Sequence, residues 1–246
     1  MLVIDRLTFR YTESEHPIFK NISLSLRKGE FVSLIGSSGS GKSTLLKIIA
    51  GLMEGEDGHI YYEGYEGNRL GKIGYMPQKD QLLPWRKIIE NVLLPVEIRS
   101  SNKEVEKEKA TALLKEFGLS EVANEYPSRL SGGMRQRAAF LRTIMTGSDL
   151  LLLDEPFGAL DAMRKQDMQR WLFSVWERLG KTIFFITHDI EEAILLSDRV
   201  LVLRDGEIEE VSIPFSRPRV PDMIFGNEFI EYRRLLSEKI REKNHL

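Results

Sequence analysis

The feature that most constrains this chain is a glycine-rich segment between a short apolar run and a helical stretch. The run 31–35 predicts a strand, and 42–50 predicts a helix. A strand, a glycine loop and a helix in this order place backbone N–H groups and a positive helix end around a phosphate. The loop matches the G-x-x-x-x-G-K-[ST] phosphate-loop pattern through Gly36, Ser37, Ser38, Gly39, Ser40, Gly41, Lys42, Ser43 and Thr44.

Two side chains of this loop have defined roles in such a site. Lys42 is expected to reach the β- and γ-phosphates of a nucleotide, and the Ser43 hydroxyl to ligate Mg²⁺. ATP and Mg²⁺ are therefore the predicted ligands. The alternative is a glycine-rich turn that matches by accident. It is disfavoured because four matching positions arise by chance in only about 1% of chains of this length.

A second marker is an acidic pair at the end of an uninterrupted leucine run. Residues 150–153 show no polar alternation, which is typical of a strand buried on both faces of a parallel sheet. Carboxylates at the carboxyl end of such a strand face the crevice where α/β folds bind ligands. Asp154 is thus predicted to hold Mg²⁺, and Glu155 to act as general base toward the attacking water. The alternative for the pair is an exposed acidic turn.

Composition narrows the class of protein further. The chain has 246 residues, 42% of them apolar, which suits a large domain or a domain with an inserted lobe. A formal net charge of −2 offers no general attraction for nucleic acid or anionic lipid. The absence of cysteine excludes disulfides and thiolate chemistry. The N-terminus has the pattern of a strand and no apolar run approaches ~18 residues, so we expect a soluble, cytoplasmic chain.

Alternating strand and helix patterns predict a three-layer α/β core with a parallel sheet. With the phosphate loop, this predicts a P-loop NTPase core, for which we also expect an N-terminal antiparallel β subdomain. A hairpin is expected through Asp205 and Gly206. Further strands are expected at 2–11, 21–26, 60–62, 72–76, 183–187 and 200–203. A helix over 161–179, ended by Gly180, is expected to bury Met168, Trp171, Leu172, Val175, Trp176 and Leu179.

The stretch 86–148 is mostly helical in pattern and predicts an inserted α-helical lobe. Ser101 and Glu104 have capping-box spacing, and Gly118 is expected to end a helix. One buried face is expected to contain Val105, Leu113, Leu114 and Phe117. Because no internal repeat is present, the prediction is a single ATPase domain over 1–215, with its core at 1–85 and 149–215, and a short helical tail at 216–246.

The segment 130–136, Leu-Ser-Gly-Gly-Met-Arg-Gln, resembles the signature motif of ATP-binding-cassette (ABC) ATPases. The resemblance covers about residues 2–215. Ser131 is by itself a good N-cap for a helix starting near Met134, and Gly132 and Gly133 let a phosphate approach the backbone. An ordinary capped helix start is the alternative. The resemblance implies that these residues, with Gln136, complete the ATP site of a second copy in a head-to-tail nucleotide-sandwich dimer.

The resemblance also implies roles for four single residues. Tyr11 matches the aromatic residue that stacks on adenine, although an aromatic residue in a strand is more often part of a core. Gln78 resembles the glutamine that contacts Mg²⁺ and water and senses the membrane subunit. Asp161 resembles the residue that communicates across the dimer. His188, otherwise interpreted as a structural histidine, resembles the histidine that contacts the γ-phosphate.

Three details resemble the importer subgroup that energises uptake of nitrate, taurine, alkanesulfonates or thiamine pyrimidine precursors. They are Met134-Arg135 and the segments 157–161 and 82–85. The resemblance thus implies a peripheral ATPase at the cytoplasmic face of the cell membrane. Its partners are integral membrane permease subunits and, indirectly, a solute-binding protein.

The alternatives to an importer subunit are three. A cassette ATPase driving export is the nearest. A non-transport cassette protein, which would carry tandem cassettes or a long coiled coil, fits less well. A small-molecule kinase would not need the signature motif. No basic patch marks a nucleic-acid partner.

Two further segments leave alternatives open. Pro77 and Pro84 favour a loop over 80–85, whose Leu82, Leu83 and Trp85 either fold back on the lobe or remain partly exposed. The resemblance implies a coupling helix of the membrane subunit at this place, which exposed Leu83 and Trp85 are expected to help hold. The tail has a candidate apolar helix face that either packs on the chain's own core or meets a partner. That face comprises Phe229, Tyr232, Leu235, Leu236 and Ile240.

Overall fold

A computed structural model describes residues 1–99, 103–158 and 162–241. The strands are β1 Leu2–Phe9, β2 Phe19–Leu26, β3 Phe31–Ile35, β4 Asp57–Tyr62, β5 Tyr65–Glu66, β6 Gly74–Met76, β7 Leu150–Asp154, β8 Thr182–Ile186, β9 Arg199–Arg204 and β10 Glu207–Ser212. The helices are α1 Lys42–Ile49, α2 Ile88–Arg99, α3 Lys103–Glu116, α4 Gly132–Ile144, α5 Ala162–Leu179, α6 Ile190–Leu196 and α7 Asn227–Ile240.

The main sheet has six strands in the order β10-β9-β3-β8-β7-β6. Neighbours from β9 to β6 are parallel, and only β10 is antiparallel to its neighbour. Every residue of β3, β7 and β8 is buried. This burial explains their uninterrupted apolar runs, since central parallel strands are covered on both faces.

A second sheet has four antiparallel strands in the order β2-β1-β4-β5. Along β2 the buried residues alternate with exposed ones from Ile22 onward, as expected for a sheet with one face in contact with solvent. Its inner face shares an apolar core with α1 and with one face of the main sheet. The predicted α/β fold, with a parallel core sheet, an N-terminal antiparallel sheet and inserted helices, is confirmed.

Helices α2, α3 and α4 lie between β6 and β7 in the chain and share the core on the other face of the main sheet. Leu113, Leu114 and Phe117 are buried there, and Gly118 follows α3 with φ +64°. The prediction for Val105 is wrong, because this side chain is 61% exposed. At about 100° per residue, positions 105 and 114 lie on opposite sides of a helix. Ser101 lies outside the described residues.

The elements after β7 follow the sequence pattern closely. Helix α5 buries Met168, Leu172 and Val175 and packs the other three predicted apolar residues partly against the same core. The hairpin between β9 and β10 turns through Asp205 and Gly206, both with positive φ, as a two-residue type I′ turn requires. The hairpin prediction is therefore confirmed.

The tail ends in α7, which packs against α6 and β9. Phe229 and Leu236 are buried, and Tyr232 and Ile240 pack partly against the same cluster. Leu235 is 39% exposed, so its assignment to this face is wrong; it lies about 100° around the helix from Leu236. Of the two alternatives for the tail, packing on the chain's own core is the one observed. Across the described residues, every helix is too short or too polar to span a bilayer.

Candidate active site

One pocket lies where the phosphate loop leaves β3, beside the carboxyl ends of β7 and β8. It brings together most of the residues predicted to act on a nucleotide. They are Tyr11, Gly36, Ser38, Gly39, Gly41, Lys42, Ser43, Thr44, Gln78, Glu155 and His188, with Ile18 beside them. Ser37 and Ser40 belong to the same loop, and Asp154 contacts it through Ser43.

The loop backbone runs too close to its neighbours for side chains at two of its glycines. A Cβ on Gly36 would lie 2.3 Å from the Leu203 carbonyl oxygen. Gly41 has φ +97°, and a Cβ there would lie 2.4 Å from Ile18. The Ser40 hydroxyl oxygen is buried without a hydrogen-bond partner among the described residues, which fits a loop shaped around a polar ligand.

The side chain of Lys42 is hydrogen-bonded to the backbone of its own loop. Its ammonium donates to the carbonyl oxygens of Gly36 at 2.9 Å and Ser37 at 2.7 Å. Burial lowers the pKa of Lys42, while the nearby charges of Glu155 and Asp154 oppose the shift. A cation in this position can bind an anionic group placed in the loop.

Asp154 and Ser43 form the pair of oxygen donors next to the loop. The Ser43 hydroxyl donates to Asp154 Oδ1 at 3.1 Å. Asp154 is 3% exposed, and this burial raises its pKa. Burial, together with the charge of Asp154, also raises the pKa of Tyr75 to about 12, so this phenol stays neutral. Tyr75 is a neighbour of the acidic pair that sequence reasoning missed.

Glu155 lines the pocket in a strained backbone conformation. Its φ is +47°, a left-handed value that is uncommon outside glycine and typical of functional sites. Glu155 Oε2 accepts a hydrogen bond from Gln78 Nε2 at 2.9 Å and lies 3.5 Å from His188 Nδ1. Three residues far apart in the sequence therefore meet on one carboxylate oxygen. This carboxylate can accept a proton from a water in the pocket.

Tyr11 closes one side of the pocket. Its hydroxyl lies 2.8 Å from Thr44 Oγ1, and its ring packs edge-on against Phe9. The residue is 42% exposed, so part of the ring remains open to a partner. The structure thus places Tyr11 beside the start of α1.

The signature residues lie apart from this pocket, at the start of α4. Ser131 is exposed, and its hydroxyl accepts from the Met134 N–H at 3.4 Å as the N-cap of a helix that begins at Gly132. Gly133 is buried, and Gln136 is 4% exposed with its Oε1 unpaired among the described residues. Asp161 lies outside the described residues.

Polar contacts missed by sequence reasoning hold the segment between Gln78 and α2. Asp80 accepts from Arg135 Nε at 2.9 Å, a link across 55 residues that no local pattern signals. The fully buried Asn91 accepts from the Leu83 N–H at 2.7 Å and donates back to the Leu83 carbonyl oxygen at 3.1 Å. A polar residue on an otherwise apolar helix face was the available signal for Asn91.

Comparison with known proteins identifies the family of this chain. A family model described as "ABC transporter" matches residues 19–158. The formylaminopyrimidine import ATP-binding protein ThiZ of Halalkalibacterium halodurans is 44% identical over 217 residues, 87% of this chain and 85% of the relative. The aliphatic sulfonates import ATP-binding protein SsuB of Ralstonia nicotianae is 42% identical over 212 residues, 85% of this chain and 72% of the relative.

A solved structure is similar to this chain in both fold and sequence. It is a dimeric post-hydrolysis state of the ATP-binding cassette MJ0796 bound to ADP and Pi. The TM-score is 0.79 at 33% identity, over 88% of this chain and all of that one. Since the family model covers more than half of the chain and the relatives exceed 30% identity over most of it, this chain belongs to the ABC transporter family and is an ATP-binding, ATP-hydrolysing cassette subunit.

Proposed function

We propose that this chain powers the uptake of a small nutrient by a membrane transporter. The observation that carries the hydrolytic part of the proposal is the meeting of Gln78 and His188 on Glu155, in the pocket that Lys42 of the phosphate loop also lines. This arrangement supplies a base, an anion-binding cation and two polar side chains around one phosphate position.

In this proposal the residues divide the work of hydrolysis. Lys42 and the loop N–H groups hold the β- and γ-phosphates, and His188 contacts the γ-phosphate. Glu155 takes a proton from a water whose oxygen attacks the γ-phosphorus, while the bond to the β-phosphate oxygen breaks and ADP leaves. Tyr11 stacks on the adenine, using the part of its ring that remains exposed.

The donor set beside the loop suits Mg²⁺. The Ser43 hydroxyl and the Asp154 carboxylate lie next to each other, and oxygen donors of these types are the ligands that Mg²⁺ prefers. Gln78 is the third proposed ligand, through its amide oxygen. Mg²⁺ here would neutralise phosphate charge as it develops. The described residues contain no cluster of three acidic, histidine or cysteine side chains for a separate metal site.

We further propose that two copies form a head-to-tail sandwich around ATP. The exposed Ser131 and the adjoining Gly132 and Gly133 lie outside the chain's own pocket, as a contribution to a second copy's site requires. Gln136 and Asp161 are assigned to the same interface. The dimeric state of the related cassette supports this proposal.

The names of the relatives support the import direction and the nutrient class. Both are named as import proteins, one for a formylaminopyrimidine and one for aliphatic sulfonates. We propose a small nitrogen- or sulfur-containing solute of this type, with nitrate and taurine as further candidates. The chain would sit peripherally at the cytoplasmic face of the membrane, bound to permease subunits that receive solute from a binding protein.

Cells that lack this chain are expected to lose uptake of one of these four solutes. The wild-type chain should restore the initial uptake rate of the labelled solute, and Lys42→Ala should not, because the phosphates are no longer held. Lys181→Met, which changes a lysine paired with Asp149 away from the pocket, is the control and should restore uptake. Faster accumulation in the deletion strain would indicate export, and an unchanged rate for all four would contradict the solute class.

The segment after Gln78 is the proposed contact with the permease. Leu82 is 7% exposed and folds into the lobe, Leu83 is half-buried, and Trp85 is 70% exposed. Of the two alternatives for this loop, folding back on the lobe is therefore observed for Leu82 and not for Trp85. Hydrogen bonds from the Asn91 side chain to the backbone of Leu83 and Arg86 hold this segment in place on either side of the exposed Trp85. An ordered loop presenting an exposed tryptophan is suited to anchoring an interface.

Trp85→Ala is expected to leave the ATPase rate of the isolated chain nearly unchanged, because the ring is exposed and does not line the nucleotide pocket. It should weaken co-purification with the permease subunits or uncouple hydrolysis from transport in proteoliposomes. Tyr65→Ala, at a side chain 80% exposed on the antiparallel sheet, is the matched control. A Trp85→Ala chain that unfolds and loses basal ATPase, yet assembles normally when rescued, would show that Trp85 belongs to the core and is not the anchor. Normal assembly and coupling by a folded Trp85→Ala chain would contradict the anchor as well.

A further inference from the structure

The loop that carries His188 is fastened on both sides. Asp189, which follows His188, accepts through Oδ1 from the N–H groups of Glu191 at 2.9 Å and Glu192 at 3.3 Å and so caps α6. Its other oxygen, Oδ2, lies 2.7 Å from the ammonium of Lys165. One carboxylate thus joins the residue next to His188 to helix α5.

Thr187, which precedes His188, is linked to the same Lys165 ammonium group through Glu192. The Thr187 hydroxyl is hydrogen-bonded to Glu192 Oε2 and accepts from the Asp189 N–H at 3.0 Å. Glu192 Oε1 lies 2.7 Å from the Lys165 ammonium. Both neighbours of His188 are therefore tied to one cation, directly through Asp189 and indirectly through Glu192.

Lys165 supplies the positive charge of this cluster, and Gln169 Nε2 also donates to Glu192 Oε1 at 3.1 Å. Glu192 is 3% exposed, and the side chains of Asp189 and Lys165 are 32% and 23% exposed. Two carboxylates at this depth would repel each other without a shared cation. Burial by itself would lower the pKa of Lys165. The hydrogen bonds to Asp189 and Glu192 outweigh burial and raise this pKa, so Lys165 remains an ammonium ion.

The position of Lys165 in the fold connects two parts of the site. It lies in the first turn of α5, the next helix after Glu155, whereas His188 follows the neighbouring strand β8. Lys165 itself does not line the nucleotide pocket. Any effect on hydrolysis must therefore act through the loop it holds.

We propose that Lys165 is a positioning residue, which fixes the His188 loop relative to α5 and so holds the imidazole beside Glu155. The inference rests on the proposed role of His188 in contacting the γ-phosphate. A displacement on the order of 1 Å in a positioned group can cost about 10²-fold in rate. A loop that is loosened rather than displaced should cost less, about tenfold.

The test compares ATP hydrolysis by the purified full chain and three variants. Lys165→Met should lower kcat by about tenfold and change the ATP dissociation constant by less than about threefold, since Lys42 and the loop still bind ATP. Lys165→Arg should recover most of the rate, because a guanidinium can bridge both carboxylates. Lys181→Met is the matched control, with a 2.6 Å bond to Asp149 and 20% exposure, and should hydrolyse ATP at the wild-type rate.

A double-mutant cycle separates positioning of His188 from general support. If Lys165 acts through His188, Lys165→Met should have little further effect in a His188→Ala background. An equal loss of rate in both backgrounds would overturn the proposal. So would an equal loss from Lys165→Met and Lys181→Met.

The remaining outcomes are also decisive. If Lys165→Met does not fold, Lys165→Gln, which keeps N–H donors without the charge, takes its place in the cycle. If neither folds, Lys165 is a structural ion-pair partner and the proposal fails. A wild-type chain without ATPase activity would overturn the proposed function, whereas an active wild type with an unimpaired Lys165→Met overturns this inference alone.

Discussion

Replacement of Glu155 by glutamine is expected to lower ATP hydrolysis by at least about 10²-fold while ATP still binds. Glu155 Oε2 is the oxygen on which Gln78 and His188 converge, and it lies in the pocket formed by the phosphate loop. The amide has nearly the same shape as the carboxylate and cannot accept the proton of the attacking water. In the proposed site, phosphate is bound by Lys42 and the loop backbone, which this change leaves in place.

The measurement is kcat for phosphate release together with the dissociation constant for ATP. ATP that is bound and not cleaved should also prolong the life of the dimer, seen as a slower-dissociating species in gel filtration. Asp149→Asn is the matched control. This carboxylate lies just before β7, at the opposite end of the strand from Glu155, and pairs with Lys181 on the surface. Normal turnover by Glu155→Gln would contradict the assignment of the base.

The parts of the fold that sequence could predict are those whose cause is local. A strand buried on both faces has to be apolar throughout, so the leucine run 150–153 predicts β7 correctly. A two-residue turn has to tolerate positive φ twice, so Asp205-Gly206 predicts the hairpin. The errors at Val105 and Leu235 have a local cause too, because Val105 lies on the opposite side of its helix from Leu114 and Leu235 lies about 100° from Leu236.

The parts that sequence could not predict depend on contacts between distant segments. The hydrogen bond from Gln78 to Glu155 joins residues 77 positions apart in the sequence. The hydrogen bond from Lys165 to Asp189 joins residues 24 positions apart. Charged residues occur throughout a chain in which 29% of residues are charged, so composition does not single out these pairs. Motif spacing can place Glu155 and His188 at the ends of two strands, and only the packing of β7 beside β8 brings them together.

The sandwich arrangement makes a prediction that no single variant can test. Ser131 caps α4 at an exposed position outside the pocket, and in the proposed sandwich its ligand is the phosphate bound by a second copy. Ser131→Arg should block the closed dimer by filling that position with a large side chain. It should spare ATP binding by the separate chain, whose Lys42 and phosphate loop are untouched.

A mixed dimer distinguishes the sandwich from a site built within one chain. One subunit carries Lys42→Ala, the other carries Ser131→Arg, and both carry Glu155→Gln so that bound ATP is not cleaved. In a head-to-tail dimer both lesions fall in the same site, and the other site remains intact. In a dimer whose sites lie within each chain, every site carries one lesion.

The quantity to measure is the ATP retained per dimer after rapid gel filtration. We expect about one retained ATP for the mixed dimer and none for a homodimer that carries Lys42→Ala or one that carries Ser131→Arg, because each homodimer damages both of its sites. The Glu155→Gln dimer without other changes gives the upper reference. A mixed dimer that retains no more ATP than the homodimers would exclude the sandwich, since an intact composite site has no reason to release its nucleotide. Ser131 would then be only the cap of its own helix.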